Sequence, residues 1–294
     1  MASEIKLIMS PYLEDEELQK VRALEKKCIA LDGHTLKLEL DYKQSMANEL
    51  SMDSAHMNEF MCKIEDQVIA YAGICGFDGM TLEVNGMVDP SYRRQGLFTT
   101  LIDFVIDEVN TRKEETLLLL ADSESLSGQA FIKTLEVAYQ HSEYEMFLEM
   151  KKPISFDKRG LTFRKASNDD ADEIVNQNAV YFDKAVEEID MPLPETEEKR
   201  GMTIYLAELE DLTIGKVNIE IFKGVAGLFG LGVKPDYRGK GYGREILEFA
   251  VTKAIELGAE GVMLQVEAEN DRALSLYKSC GFKIASKMDY FKFQ

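Results

Sequence analysis

A single spacing of 145 residues relates the two halves of this 294-residue chain and constrains its fold more than any other feature. Five residues recur at that spacing: Val88 with Val233, Pro90 with Pro235, Tyr92 with Tyr237, Arg93 with Arg238 and Gly96 with Gly241. Two further segments keep it, namely 66–69 with 211–214 and 117–120 with 262–265. Because chance rarely preserves one register over roughly seventy residues, the sequence indicates a tandem duplication with diverged halves.

The length supports the same organisation, since a typical domain has about 150 residues. We predict domains at 1–152 and 160–294, joined by a polar segment over 151–160 that contains Pro153 and Gly160. Each half is predicted to run strand, helical region, strand pair, strand, helix, strand, helix, strand. This alternation is typical of an α/β (α+β) fold with a mixed sheet covered by helices.

The second half gives the clearer element boundaries. Glu210 and Asp211 separate two alternating segments and predict a hairpin turn. Gly258 and Gly281 follow helical patterns and predict helix ends. The predicted strands are 161–164, 203–208, 213–222, 227–233 and 261–266, and the predicted helices are 168–182, 241–257 and 271–279.

Composition excludes several classes of protein. The chain has 45% hydrophobic and 30% charged residues, as soluble globular proteins do. Its net charge of −19 argues against nucleic-acid binding, and no apolar run is long enough for a membrane helix or a signal peptide. The four scattered cysteines favour reduced thiols in the cytoplasm, and the three dispersed histidines do not suggest a metal site.

The run 233–244 joins a predicted strand to a predicted helix and contains three alternating glycines, Gly239, Gly241 and Gly243. Glycine-flanked backbone N–H groups at a helix start form a concave site for an anion such as a pyrophosphate. The basic residues of this run are Arg238, Lys240 and Arg244. A turn that only caps the helix is an open alternative, and a dinucleotide-binding motif would need the different spacing G-x-G-x-x-G.

These residues give the sequence its resemblance to the GNAT N-acetyltransferase superfamily, whose acetyl-CoA loop has the form R/Q-x-x-G-x-G/A. Residues 238–243 fit every position of that loop. A second family signature follows, consisting of Leu264, Val266, Asn270, Tyr277, Gly281 and Phe282. The resemblance covers nearly all of 161–294 and the first half more weakly. It implies two GNAT-like domains, each with a mixed, mostly antiparallel twisted sheet flanked by helices.

The resemblance also implies acetyl-CoA as co-substrate, no metal, and roles for particular residues. The backbone of Leu231, Gly232 and Val233 would pair with the pantetheine arm. Asn270 would touch the pantetheine region, and the Tyr277 hydroxyl would act as general acid for the departing thiolate. The residues that would surround the pyrophosphate are Arg238, Gly239, Lys240, Gly241, Tyr242, Gly243 and Arg244. A helix N-cap for Asn270 and a core aromatic for Tyr277 are the structural alternatives.

The base that deprotonates the acceptor amine is less clear. Some family members have Glu where this chain has Gln265, so Glu220 and Glu267 are the substitute candidates. Each of them could equally be a solvated charge at a strand end. A strand amide near Leu231 would hold the developing oxyanion.

The first half has lost most of these features at the same register. Phe98 stands at the position of Gly243, Ser125 at that of Asn270, Ile132 at that of Tyr277 and Glu136 at that of Gly281. A large side chain at residue 98 would crowd a phosphate. We therefore expect the first half to be catalytically silent, retaining at most weak CoA binding through Gly96, and to shape the acceptor site or serve only as a scaffold.

The prediction for the whole chain is a cytoplasmic tandem N-acetyltransferase whose second half transfers acetyl to a primary amine of a small molecule or peptide. Acidic runs at 13–17 and 186–198 suit a cationic acceptor, although solvated helix faces explain them as well. No nucleic-acid or membrane partner is expected, and the protein would be a monomer or a homodimer. The alternative is a non-catalytic acyl-CoA-binding regulatory or interaction protein.

Overall fold

The computed structural model describes residues 4–47, 56–76, 81–112, 116–149, 159–189 and 193–294. The predicted linker therefore lies outside the described residues except for Arg159 and Gly160, and so do residues 190–192 of the second acidic run. The chain divides into two compact units. The first unit consists of residues 1–142 and 286–294, and the second of residues 143–285.

The strands are β1 (Ile5–Ser10), β2 (Glu59–Ile64), β3 (Gln67–Gly76), β4 (Thr81–Val88), β5 (Thr116–Asp122), β6 (Val137–Glu149), β7 (Thr162–Lys165), β8 (Met202–Leu209), β9 (Leu212–Phe222), β10 (Val225–Val233), β11 (Gly261–Glu267) and β12 (Lys283–Phe293). The α-helices are α1 (Asp15–Asp32), α2 (Leu40–Ala47), α3 (Leu97–Val109), α4 (Leu126–Ile132), α5 (Ala171–Phe182), α6 (Pro194–Lys199), α7 (Tyr242–Glu256) and α8 (Asp271–Ser279). Every element predicted for the second half is present within two residues of its predicted bounds, except that α5 begins at Ala171, three residues after its predicted start, behind a 3-10 turn over Asn168–Asp170.

The first unit contains a sheet with the order β1-β2-β3-β4-β5-β12. Its neighbouring strands are antiparallel except β4 and β5, which are parallel. Helix α3 packs on one face of this sheet through residues such as Leu101 and Val105. Helix α1 packs on the other face, where Val21 and Leu24 meet Tyr71 of β3.

The second unit repeats this plan with the order β6-β11-β10-β9-β8-β7. Only β10 and β11 form a parallel pair, and residues 143–149 of β6 pair antiparallel with β11. Helices α7 and α8 cover one face, where Ile246 and Tyr277 join the largest apolar core. Helix α5 covers part of the other face through Ile174, which packs with Ile204 and Leu206 of β8.

The duplication is visible in matching details of the two units. Gly96 and Gly241 each precede a helix with left-handed φ values of 81° and 88°. The Nε atom of Arg93 donates to the Val88 carbonyl at 3.1 Å, and that of Arg238 donates to the Val233 carbonyl at 2.8 Å. Both units have a mixed, mostly antiparallel sheet flanked by helices, so the predicted tandem repeat and fold class are confirmed.

The predicted hairpin turn is present between β8 and β9, with φ values of 49° at Glu210 and 66° at Asp211. Such a turn matches the twist of the flanking strands. Within the described parts of the chain, no helix combines the length and the apolar character needed to cross a membrane.

Candidate functional site

A gap opens in the sheet of the second unit where β10 and β11 part. Their parallel pairing joins Val225–Leu228 to Gly261–Leu264. Both strands continue beyond it, β10 as far as Val233 and β11 as far as Glu267. The backbone N–H and C=O groups beyond the paired residues are not used in β10–β11 pairing, so an extended ligand can form hydrogen bonds with them.

A β-bulge shapes the β10 side of this gap. The register between β9 and β10 shifts between Phe229 and Gly232. Gly230 in the bulge has a left-handed φ of 53°. Because a bulge re-aims the backbone groups of its strand, the amide of Leu231 lies at a point where the strand geometry is irregular. The sequence analysis predicted that a strand amide near this residue holds the developing oxyanion.

The glycine loop leads from β10 into α7. Gly239 and Gly241 have φ values of 78° and 88°, which other residue types rarely adopt. The N–H of Arg244 closes the first helical turn on the Gly241 carbonyl at 3.1 Å. The N–H groups before Arg244 have no carbonyl acceptor within the helix and can bind an anion.

Gly243 keeps the start of α7 open. A Cβ atom at this position would lie 3.7 Å from both Leu276 and Val233, which is ordinary van der Waals contact. A methyl group therefore fits there, whereas a large side chain would extend into the space beside Leu276 and Val233, as Phe98 packs against Phe131 in the first unit.

The three basic residues predicted at the loop have different surroundings. Arg238 is held by the Val233 carbonyl, and Lys240 Nζ lies 3.0 Å from the carbonyl of a loop residue. Arg244 instead donates to Ser279 Oγ at 2.6 Å, at the end of α8. Of the three, Arg244 is thus directed toward another helix.

Two arginines that the sequence analysis missed lie beside the glycine loop. The Arg159 guanidinium occupies the space where a Cβ atom at Gly241 would lie, and its backbone N–H donates to Glu245 at 2.9 Å. Arg272 Nη2 lies 3.5 Å from the corresponding position at Gly239. Arg159 falls in the predicted linker and outside every motif, so no sequence signal identified it.

Tyr277 and Asn270 lie at opposite ends of α8. Tyr277 is 7% exposed, and burial raises the pKa of its phenol to about 12. Asn270 caps the helix because its side-chain oxygen accepts from the Ala273 N–H at 3.1 Å. The capping role considered for Asn270 is therefore present, and its contact with pantetheine stays a prediction.

The strand register brings the candidate bases onto one sheet face. Glu220 of β9 is opposite Gly227 of β10, which is opposite Met263 of β11. Since side chains alternate along a strand, Gln265 and Glu267 point to the same side as Met263. Glu220 is half-buried and Glu267 is exposed.

Two further residues next to the bulge were also missed. Lys216 of β9 is 0% exposed and lies opposite Gly232. The Tyr181 ring of α5 packs where a Cβ atom at Gly232 would lie, and burial raises its pKa. The alternation along 213–222 could have placed Lys216 on the same face as Glu220, but not its complete burial.

The first unit differs at each corresponding position. Phe98 packs edge-on against Phe131 with ring centroids 4.8 Å apart. Ile132 is part of the apolar core, and Ser125 Oγ caps α4 by accepting from Gly128 N–H at 3.1 Å. The capping function of Asn270 therefore persists in its counterpart, whereas the phenol of Tyr277 has no equivalent there.

The sheet of the first unit is also more regular at this point. Strands β3 and β4 pair residue by residue from Ala70 with Val88 to Gly76 with Leu82. A cavity of about 390 Å³ lies beside this region, and Phe98 contributes to its wall. The first unit thus has a cavity at the start of α3, but it has Phe98 in place of Gly243 and lacks the bulge of β10.

Comparisons with known proteins agree with this geometry. The model of the acetyltransferase (GNAT) family matches residues 21–135 and 171–282, once in each half. A mycothiol acetyltransferase from Propionibacterium freudenreichii is 28% identical over 239 residues, covering 75% of this chain and 72% of that protein. A ribosomal protein bS18-alanine N-acetyltransferase from Escherichia coli is 39% identical over 61 residues, covering 21% of this chain and 41% of that protein.

Solved structures show the same fold. A GCN5-related N-acetyltransferase from Sphaerobacter thermophilus superimposes with a TM-score of 0.78 at 17% identity, covering 97% of this chain and 95% of that one. A tandem GNAT protein from the clavulanic acid biosynthesis pathway gives a TM-score of 0.69 at 13% identity, with 98% of both chains covered. At these identities the likeness concerns the fold alone.

Proposed function

The chain belongs to the acetyltransferase (GNAT) family and is an acyltransferase, and from this premise we propose that its second unit transfers acetyl from acetyl-CoA to a primary amine of a small molecule or peptide. One observation carries the choice of unit. The bulge at Gly230 and the small residue Gly243 at the helix start occur together in the second unit, whereas the first has an unbulged β3–β4 ladder and Phe98 at the matching position. The first unit, within the predicted domain 1–152, would be a silent scaffold.

The glycine loop fits the pyrophosphate of acetyl-CoA, which is general to the family. Left-handed Gly239 and Gly241 expose backbone N–H groups, and Gly243 leaves the helix start uncovered. The β10 backbone from Leu231 to Val233 would hold the pantetheine arm along the gap. Acetyl-CoA supplies an activated thioester, and the Leu231 amide would donate to its carbonyl oxygen as charge develops.

Arg159 would add a charged contact to this loop. Because its guanidinium contacts Gly241 and its backbone is anchored on Glu245, replacing it removes charge without removing that anchor. We expect Arg159→Ala to raise the KM for acetyl-CoA about tenfold and to leave kcat unchanged, as losing one charge-assisted hydrogen bond of about 1.5 kcal/mol implies. Steady-state kinetics at fixed ionic strength measure this, and Lys184→Ala on the exposed surface is the control. An unchanged KM would remove Arg159 from the binding site.

Tyr277 would donate to the departing sulfur. With its pKa raised to about 12 by burial, the phenol is protonated throughout the physiological range. Full proton transfer to a thiolate with a conjugate acid of pKa about 8.5 is uphill. The phenol would therefore stabilise the leaving group chiefly through the hydrogen bond that it donates.

Glu220 is the preferred general base, acting directly or through water. It is half-buried on the face shared by Gln265 and Glu267, and partial burial shields a base from bulk solvent, whereas Glu267 is exposed. The carboxylates on this face also favour an acceptor amine that carries positive charge.

Exchanging each carboxylate for its amide distinguishes the two candidates. We expect Glu220→Gln to lower kcat about tenfold, since water can partly replace a base, and Glu267→Gln to change it less than twofold. The pH dependence of kcat for both variants measures the difference. The opposite order of effects would assign the role to Glu267.

The proposed location is the cytoplasm, which the four free thiols support. The direct test of the function is to mix the protein with acetyl-CoA and a panel of amines that includes polyamines, amino sugars and peptide N-termini. Thiol release that depends on an amine, with an equal yield of acetylated product, is the expected result. Binding of acetyl-CoA without thiol release above hydrolysis would contradict the proposal.

A further inference from the structure

A buried amine lies against the bulge of β10. The Lys216 side chain is 0% exposed, and its Nζ atom donates to the Gly230 carbonyl at 3.1 Å and to Asn218 Oδ1 at 3.2 Å. Gly230 is the left-handed residue of the bulge. The lysine therefore binds the backbone at the point where the strand departs from regular geometry.

The bulge and the lysine depend on each other. A Cβ atom at Gly230 would lie only 2.6 Å from Lys216 Nζ, so any larger residue there would displace the amine. The amine in turn satisfies a carbonyl that the shift in register removes from the β9–β10 ladder. A partly buried carbonyl without a partner would be costly, and Lys216 provides that partner.

Most of the carboxylates on the elements around Lys216 form ion pairs with other residues or lie farther along β9. On α5, Glu173 pairs with Lys234 at 2.6 Å. On β8, Glu208 pairs with Arg164 at 2.7 Å. The remaining titratable groups on the surrounding elements are Asp172 and Tyr181 on α5, Tyr205 on β8, Glu220 on β9 and Arg238 after β10.

Both hydrogen-bond partners of the amine are neutral oxygens. Burial consequently lowers the pKa of Lys216 to about 7, so the amine is protonated below that pH and neutral above it. Either form can donate the two hydrogen bonds, but only the ammonium adds positive charge beside the bulge.

The first unit provides an internal comparison. Tyr71 occupies the position that corresponds to Lys216 at the spacing of 145, and its hydroxyl donates to Glu59 Oε2 at 2.5 Å. Strand β4 pairs with β3 through this region without a shift in register. The buried lysine and the bulge thus occur together in the unit that also has the open glycine loop.

We propose that Lys216 is a positioning residue, which fixes the Gly230 carbonyl so that the Leu231 amide faces the thioester carbonyl and which, when protonated, stabilises the negative charge that develops there. This inference rests on the proposed function of the second unit. Lys216 forms no bond with the acetyl group, because it acts through the backbone of the bulge and through its charge.

The test compares wild-type protein with Lys216→Met, which keeps an unbranched apolar side chain of similar length. At each pH the wild-type kcat is divided by the variant kcat. The effect of acceptor-amine ionisation on kcat cancels in this ratio, because both enzymes use the same acceptor. We expect a ratio of about ten at pH 6 that falls toward about three as the pH passes 7 and reaches 9. The KM for acetyl-CoA should change less than threefold, because the glycine loop is intact.

Tyr71→Phe in the first unit is the matched control, for which the ratio should stay near one at every pH. A ratio near one for Lys216→Met would overturn the proposal, because the lysine would then have no effect on kcat. A ratio above one that is constant from pH 6 to 9 would also overturn it, because the role of Lys216 would then be structural only. Lys216→Gln replaces the methionine variant if thermal unfolding shows that the latter is not folded. Absence of thiol release by the wild type would instead refute the proposed function, so the two failures are distinguishable.

Discussion

Replacing Gly243 with phenylalanine should raise the KM for acetyl-CoA at least about 100-fold. The new side chain would fill the space beside Leu276 and Val233 at the start of α7 and crowd the pyrophosphate bound at the N–H groups of the glycine loop. Losing two charge-assisted hydrogen bonds of about 1.5 kcal/mol each corresponds to roughly this factor. Steady-state kinetics and calorimetric titration with acetyl-CoA measure the change. The substitution copies the residue that the first unit has at the same position, Phe98.

Gly243→Ala is the matched control. A Cβ atom at this position would make only ordinary contacts at 3.7 Å, so the alanine variant should bind acetyl-CoA within about threefold of the wild type. Thermal unfolding of both variants checks that the helix start is intact. If Gly243→Phe is folded and binds acetyl-CoA normally, the pyrophosphate does not bind at this loop.

Tyr277→Phe should lower kcat at least about 100-fold and change the KM for acetyl-CoA less than threefold, because the phenol hydroxyl assists only the departure of the sulfur. The ring packs in the core and phenylalanine keeps that packing. The variant should therefore unfold within a few degrees of the wild type. Pre-steady-state measurement of thiol release separates this effect from product dissociation.

The pH dependence gives an independent check on Tyr277. Because burial raises its pKa to about 12, the phenol stays protonated as the pH rises from 6 to 10. The ratio of wild-type to Tyr277→Phe kcat should consequently be constant over that range. A ratio that falls between pH 8 and 10 would show a phenol that ionises there, and an undiminished kcat would remove Tyr277 from the reaction.

The fold was largely predictable because its signals are local and occur twice. Hydrophobic alternation around Glu210 and Asp211 predicted the β8–β9 hairpin, and the constant spacing of 145 predicted the tandem repeat. The boundaries of the two compact units differ from the halves of the sequence, which the sequence analysis did not predict. Residues 286–294 belong to the first unit, although they end the second half of the sequence. The sequence could not predict this assignment, because pairing between strands that are distant in sequence leaves no periodic signal.

The site was predictable where a motif fixes the backbone and not where tertiary packing brings residues together. The glycine loop was identified from Gly239, Gly241 and Gly243, whose conformational requirements are local. Arg159 contacts the loop from a segment without a motif. Lys216 appeared as one polar residue in an alternating strand, and its burial depends on the bulge and on the helix that covers the sheet.

Arg244 illustrates the converse. Its position next to the glycine loop suggested a phosphate contact, but its guanidinium donates to Ser279 at the end of α8. Arg244 lies in the first turn of α7, and its angular position around the helix, which a linear motif does not encode, directs its side chain toward α8.

The most direct test of catalysis by the second unit is the rate of amine-dependent thiol release from acetyl-CoA by three proteins: the wild type, Gly243→Phe and Phe98→Gly. We expect activity for the wild type, a loss of at least about 100-fold in kcat/KM for Gly243→Phe, and less than a twofold change for Phe98→Gly. Full activity of Gly243→Phe combined with a large change for Phe98→Gly would show that the first unit, and not the second, is catalytic.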